Sequence, residues 1–293
     1  SISAAVDATF GVVRAYQGQG GAGAVFLGLA KRRQPRIRPT LLEQTRVSSL
    51  RFDFLRRTME LSPRPLISAR DRDAIRLVDL RRLGAPVAVY ATTIRRLVID
   101  GRQVKLDRPA VAVIDTGTTG VTCSDSLFDF NRLPDRWREV EVGLACEGGG
   151  LCTLRGSVKR GRNPAVDADA PEWDEFPLIV SRTAVPWFDP GFGRAECDDP
   201  ETKACAAIRA RQPLGARLDA LGRAPHVIFV GMALLWQRRV TIDIDENRMK
   251  IVCVSDVPPG FLREFEISRP NTLILRCWSA DYVSSSFNKI LIK

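Results

Sequence analysis

The residues with the clearest chemical content lie in the run Val111-Ala112-Val113-Ile114-Asp115-Thr116-Gly117-Thr118-Thr119-Gly120. Four apolar residues lead straight into an acid, and a threonine/glycine tract then turns the chain. Such a run predicts a strand covered on both faces, with Asp115 where that strand ends. A carboxylate there is costly unless neighbours hydrogen-bond it. Thr116, Gly117, Thr118 and Thr119 offer those donors, from hydroxyls and from closely approaching backbone amides. A carboxylate so held is a candidate for proton transfer. The same residues also describe a plain Asx turn closing a strand, so the acid gains meaning only from its surroundings.

Other reactive side chains are sparse. His226 is the single histidine, and the seven cysteines form no C-x-x-C pair. No zinc site and no cofactor is therefore expected. Cys146/Cys152 and Cys197/Cys205 are close enough in sequence to close small loops as disulfides, which is compatible with a secreted or lumenal origin. The net charge of +10 comes mainly from arginine, as in Lys31-Arg32-Arg33-Gln34-Pro35-Arg36-Ile37-Arg38. That run can meet nucleic-acid phosphate, an anionic membrane or an acidic protein, or it can be a solvated loop. Aromatic residues are few around it, so no base-stacking platform is visible.

The elements that must position Asp115 are mostly strands. Hydrophobic content of 45% and charge of 27% are those of a soluble globular chain. The longest apolar stretch, Val227 to Trp236, is interrupted by Gly231 and is too short to span a bilayer. No secretory h-region is present, so a targeting segment is expected to have been removed, giving a secretory, lumenal or organellar location. Thr40 with Glu43 predicts a short capped helix, and Arg51 to Leu55 alternates as a strand. Residues 56–75 read as loop and edge structure. Val87 to Tyr90 and Leu97 to Ile99 read as strands, the second reaching a hairpin turn at Asp100-Gly101. Ser124 to Phe130 predicts a short helix, and residues 131–173 read as loops and edge strands. Further strands are expected at Phe176 to Val180, Val227 to Val230, Thr241 to Asp245 and Met249 to Val254, with a helix from Ala204 to Arg211. An apolar-apolar-glycine element occurs twice, at Phe26-Leu27-Gly28 and Phe229-Val230-Gly231, which suggests two related lobes.

Taken in order, these motifs resemble the pepsin-like aspartic peptidases. Asp115-Thr116-Gly117-Thr118-Thr119 is similar to the active-site loop of that family's second lobe, with Val98-Ile99-Asp100-Gly101 as the hairpin upstream. Val227 to Leu235 resembles the segment threading beside the catalytic loop, and Arg239 to Ile251 resembles the closing hairpin. Phe10-Gly11, Val25 to Ala30, Leu41-Leu42 and Phe52 to Leu55 look like the latter half of the first lobe. The resemblance spans roughly residues 8 to 256. It implies a mostly β, bilobal fold with the front half of the N-terminal lobe absent from this chain. Residues 1–85 would be the partial first lobe, 86–256 the second lobe, and 257–293 an extension.

The family mechanism uses water activated between two carboxylates that share one proton. The resemblance makes Asp115 the catalytic residue, supported by Thr116, Gly117, Thr118, Thr119, Gly231 and Gly28. The first Asp-Thr/Ser-Gly loop and a tyrosine-bearing flap are not found ahead of Gly28, and Asp7 lies too close to Gly28 to fill that role. One carboxylate cannot be base and acid in a single step, so the chain by itself is expected to be inactive. Its partners would be a peptide or protein substrate together with a missing first-lobe segment, carried on a separate chain or on a part of the protein outside this sequence. The alternative is a non-catalytic structural or docking subunit of a large membrane-associated or ribonucleoprotein assembly. In that alternative Phe261, Leu262 and Phe265 of the extension form a docking face, and Leu273 to Leu275 and Ile290 to Ile292 form added strands.

Overall fold

The computed structural model describes residues 29–33, 39–56, 58–118, 120–157, 159–161, 173–176, 178, 180–188, 214–254 and 273–276. The expectations placed on Gly28, Thr119, Cys197, Cys205, the helix 204–211, Phe261, Leu262, Phe265 and 290–292 lie outside these residues.

The described chain is mostly β and is organised as two main sheets. The first runs β11 (Leu151–Ser157), β10 (Glu139–Ala145), β6 (Ala91–Ile99), β8 (Ala110–Ile114), β15 (His226–Val230), β9 (Val121–Ser124), β14 (Val180–Thr183), with β7 (Arg102–Gln103) hairpinned onto β6. The second runs β18 (Leu273–Arg276), β3 (Thr58–Ser62), β2 (Ser49–Asp53), β16 (Arg238–Asp243), β17 (Arg248–Cys253), β4 (Ile75–Arg76). Two small ribbons, β1 (Lys31–Arg33) with β5 (Val87–Ala88) and β12 (Lys159–Gly161) with β13 (Trp173–Phe176), complete the strands. Three helices are described: α1 (Asp125–Asn131), α2 (Leu214–Ala220) and α3 (Met232–Leu235).

The core explains the apolar runs. One cluster contains Leu50, Val240, Ile242 and Met249 from the second sheet and Ala112, Ile114, Val142, Leu144, Ile228 and Val230 from the first. A second cluster covers the other face of β8 and β15, setting Val111, Val113 and Val227 against Leu80, Val185, Trp187 and Phe188. Strands buried on both faces need apolar residues at every position, and all five residues of β8 are buried. By contrast β6 exposes Arg95 and Arg96 between buried stretches and ends at Asp100-Gly101, where φ values of 48° and 74° give the two-residue turn that matches strand twist. The Asp100 carboxylate fixes this turn by accepting the Arg138 and Glu139 amides at 2.7 and 2.9 Å.

The hairpins β2–β3 and β16–β17 lie side by side, β2 against β16 with Ser49 opposite Asp243 and Asp53 opposite Arg239. Asp53 and Met59 recur as Asp243 and Met249 at the same spacing, and all four are buried. Asp243 is satisfied by the Ser49 hydroxyl at 2.6 Å and by the Leu66 and Ile67 amides, each at 2.9 Å.

Several expectations are corrected. Residues 56–75 are not only loop and edge: β3 is interior, paired to β2 and β18. Within 131–173, β10 is interior between β6 and β11, its Glu139 and Glu141 alternating with buried Val140 and Val142. The charges conceal a half-buried strand. The strand expected at Phe176 to Val180 is realised as β13 and β14 on either side of that stretch. The Thr40 helix is a single 3₁₀ turn, Leu42–Gln44, though Thr40 and Glu43 do bond each other's amides reciprocally.

The Cys146–Cys152 disulfide does not form, and both are free thiols. Cys152 stands opposite Leu144, while the Cys146 amide bonds Gly150. The two cysteines are therefore diagonal neighbours, whose Cα separation of about 7–8 Å exceeds the span of about 4.4–6.8 Å that a disulfide bridges. Burial pushes the Cys152 thiol up to about 11 and raises Cys146 as well, which keeps both largely protonated and slow to exchange.

Asp243→Asn would set an NH₂ group against the backbone donors of Leu66 or Ile67. The expected loss is about 2 kcal/mol, read as a lower denaturation midpoint, with the exposed Asp245→Asn as a control. A variant as stable as the parent would contradict this assignment.

Candidate active site

The strand order around Asp115 is unusual. β8 and β9 are consecutive in sequence but are not neighbours in the sheet. β15 lies between them, parallel to β8 (Val230 opposite Ile114) and antiparallel to β9 (Val230 opposite Val121). The loop 115–120 therefore strides across the end of β15. Three backbone bonds pin it: Asp115 N–H to Val230 O at 3.0 Å, Gly231 N–H to Gly120 O at 3.0 Å, and Met232 N–H to Thr118 O at 2.8 Å. A Cβ on Gly231 would lie 2.1 Å from Thr118 O and 2.4 Å from Gly120 O. The glycine is required for contact distance, since its φ of −95° is open to any residue.

Within the loop, Asp115 Oδ1 accepts the Gly117 amide at 2.9 Å and Oδ2 accepts the Thr118 hydroxyl at 2.8 Å. The Thr118 amide closes the turn onto Asp115 O at 3.2 Å. Asp115 is half-buried and Gly117 exposed, so the held carboxylate remains open to solvent. Gly117 and Thr118 thus bond Asp115 directly, while Gly231 meets the loop at Thr118 and Gly120. Thr116 is half-buried beside them and gives the carboxylate no described hydrogen bond. Val113 and Phe229 are paired across β8 and β15, and Trp187 packs edge-on against Phe229 with ring centres 5.8 Å apart. An apolar wall therefore begins two residues from the acid. The site offers one oriented carboxylate beside apolar surface, which can act as acid or as base.

A second polar centre lies at the opposite end of the same strands. His226 is fully buried. Its Nε2 is 2.7 Å from Asp107 Oδ1, and its Nδ1 is 3.0 Å from Ser126 Oγ. Ser126 Oγ lies 3.2 Å from Ser124 Oγ, which accepts the Val227 amide at 3.1 Å. Ser124 is the N-cap residue of α1, yet its hydroxyl makes no cap bond and serves β15 instead. Burial lowers the His226 pKa, opposed by the Asp107 hydrogen bond. Asp107 is lowered as well: burial is the largest single influence and raises it, but the His226 hydrogen bond and the His226 and Arg108 charges together outweigh it. The sequence marked His226 only as a lone histidine, and the Ser124-Asp125-Ser126 pattern read simply as a helix start.

Among the described residues no group of three His, Cys, Asp or Glu side chains converges to hold a metal, and no helix is long and apolar enough to cross a membrane. No protein-family model matches the chain, and no curated protein matches it.

Two outcomes follow from this geometry. Gly231→Ala is expected to destabilise the fold by about 3 kcal/mol, because the new methyl meets backbone oxygens that cannot swing aside. Gly150→Ala, whose Cβ meets nothing within 4 Å, should be near neutral. Equal melting temperatures for the two would refute the close approach. For His226, the unfolded chain binds a proton more readily than the folded one, so stability is full above the ordinary histidine value of about 6.5 and falls as pH drops below it. Asp107 adds a further loss only at much lower pH. Denaturant midpoints measured between pH 8 and 5 should decline for the parent and decline less for His226→Gln.

Proposed function

We propose that this chain is the Asp115-bearing portion of a pepsin-like aspartic peptidase. In this reading residues 1–85 belong to the first lobe, 86–256 form the second, and 257–293 extend it. The observation that carries the reading is the way Asp115 is held. Its two oxygens take the Gly117 amide and the Thr118 hydroxyl, at the point where the chain strides over Gly231. Peptide-bond hydrolysis then needs a second carboxylate facing Asp115. One of the pair removes a proton from water while the other protonates the scissile carbonyl oxygen. Close like charges make such a pair titrate as one unit. The substrate is a protein or peptide in extended form, and the second aspartate comes from a first-lobe segment.

The net charge of +10 and the lone carboxylate favour one other reading, a non-catalytic peptidase-like subunit of a large assembly. The two readings separate on the protein as isolated from its native source. Acid-pH cleavage of an unfolded protein, blocked by a statine-type inhibitor and reduced at least a thousandfold by Asp115→Asn, is the outcome expected of the peptidase. A preparation confirmed to contain a first-lobe segment that neither binds the inhibitor nor cleaves would overturn it. Recovery of the chain as an inactive, stoichiometric member of a large complex would favour the subunit.

A further inference from the structure

The early part of the chain is fastened to the strand that ends at Asp115 through a single residue. Ile114, which precedes Asp115, donates its amide to Tyr90 O at 2.9 Å. The Tyr90 hydroxyl donates in turn to Leu29 O. Tyr90 therefore joins Leu29 to the last residue of β8, by its side chain on one side and its carbonyl on the other. One residue along, Val78 N–H bonds Ala91 O at 2.8 Å, and Ala91 stands opposite Val113. Residues from before position 85 thus meet the strands beside Asp115 at two adjacent steps, and Tyr90 makes the step next to the acid.

Leu29 begins a short strap that is held on both sides. On one side β1 pairs with β5, Lys31 opposite Ala88 and Arg33 opposite Val87. On the other, Lys31 Nζ reaches Asp245 Oδ1 at 2.9 Å and Val47 O at 3.2 Å. The Arg32 guanidinium donates to Asn247 Oδ1 at 2.6 Å and to Asp245 O at 2.9 Å. Arg32 has a φ of 64°, a left-handed conformation that a residue with a Cβ keeps only where its surroundings hold it. The strap therefore spans from the turn of the β16–β17 hairpin to the entry of β6.

A tyrosine suits a fixed tether at this place. Its ring packs with Leu29 against the main core, so the hydroxyl is carried on a rigid, anchored arm. Burial holds the phenol above its usual range, and the group stays protonated and remains a donor. The hydroxyl is spent on a backbone carbonyl, so its part is to position other groups.

We propose that Tyr90 is a positioning residue that fixes the early part of the chain against Asp115, holding Leu29 with its hydroxyl and Ile114 with its carbonyl. Its effect on catalysis rests on the peptidase reading, in which residues 29–33 belong to the lobe that brings the second carboxylate. Two carboxylates that share one proton depend on their separation, and their two apparent pKa values draw together as they part.

Tyr90→Phe keeps the ring and removes only the hydroxyl. Magnetic resonance of the full chain tests the tether without any need for activity. In the parent, the Tyr90 hydroxyl proton should give its own signal, exchange slowly with water and show a nuclear Overhauser contact to Leu29. In Tyr90→Phe the Ile114 and Asp115 amides should exchange with solvent about tenfold faster, while Val142 in β10 is unchanged. A hydroxyl proton lost at once to water, no acceleration at Ile114 and Asp115, or an equal acceleration at Val142 would overturn the proposal. The first of these is read on the parent, so it decides even if the variant fails to fold. In a preparation that contains the first-lobe segment and cleaves, Tyr90→Phe should lower kcat about tenfold, leave KM within about twofold and narrow the pH profile from both sides. Unchanged kcat and an unchanged profile would overturn the positioning role. A parent that neither cleaves nor binds the statine-type inhibitor would sink the peptidase reading instead, and the exchange rates would still decide the tether.

Discussion

The passage of β15 beneath the loop that joins β8 to β9 is the constraint on which the rest depends. It requires backbone to touch backbone at Gly231, where the Gly231 and Met232 amides reach the carbonyls of Gly120 and Thr118. Once this contact is made, Asp115 has little choice of position. Its own amide is tied to Val230, and its carboxylate faces the first donors the turn supplies. The apolar character of β8 and β15 follows too, because a strand threaded between two others in mid-sheet is covered on both sides.

Much of this was legible in the residues. The run from Val111 to Asp115 marked a buried strand ending in an acid, Asp100-Gly101 marked a hairpin, and Val227 to Gly231 marked an apolar strand ending in a glycine. These signals are local, and local signals survive folding. The strand order was not legible, because nothing in Val121 to Ser124 says that β15 comes between it and β8. β3 and β10 were underrated, since Glu60 sits half-buried beside buried Met59, and Glu139 and Glu141 alternate with buried Val140 and Val142. The bonding of His226 was hidden for a related reason: Asp107, Ser126 and His226 are widely separated in sequence, and only the pairing of β8, β15 and β9 assembles them.

The second sheet shows a different economy. Two hairpins with a common Asp/Met spacing lie against each other, one from before residue 85 and one from after residue 238. The early and late parts of the chain therefore share hydrogen bonds as well as a core. β18 extends this sheet at β3, so the described part of the chain's end packs on its own molecule. That sheet also shows why one repeat is easier to recognise after folding. Asp53 and Asp243 occupy matching places but are satisfied by different partners, Arg239 and the Arg56 amide in one case and Ser49 with the Leu66 and Ile67 amides in the other.

The threading of β15 also imposes an order in time. Ser124 and the Val227 amide it receives are 103 positions apart, so β8 and β9 leave the ribosome long before the strand that belongs between them. Until it arrives, two apolar edges lie next to an open slot, and closing them directly on each other would make a compact but wrong sheet. Pairing over such separations is slow, because the entropy of closing the long loop is lost before any contact is gained. The waiting edges are the kind of surface that aggregates or recruits chaperones. The geometry that holds Asp115 so closely is thus also late to form, because it cannot close until residue 231 has been synthesised.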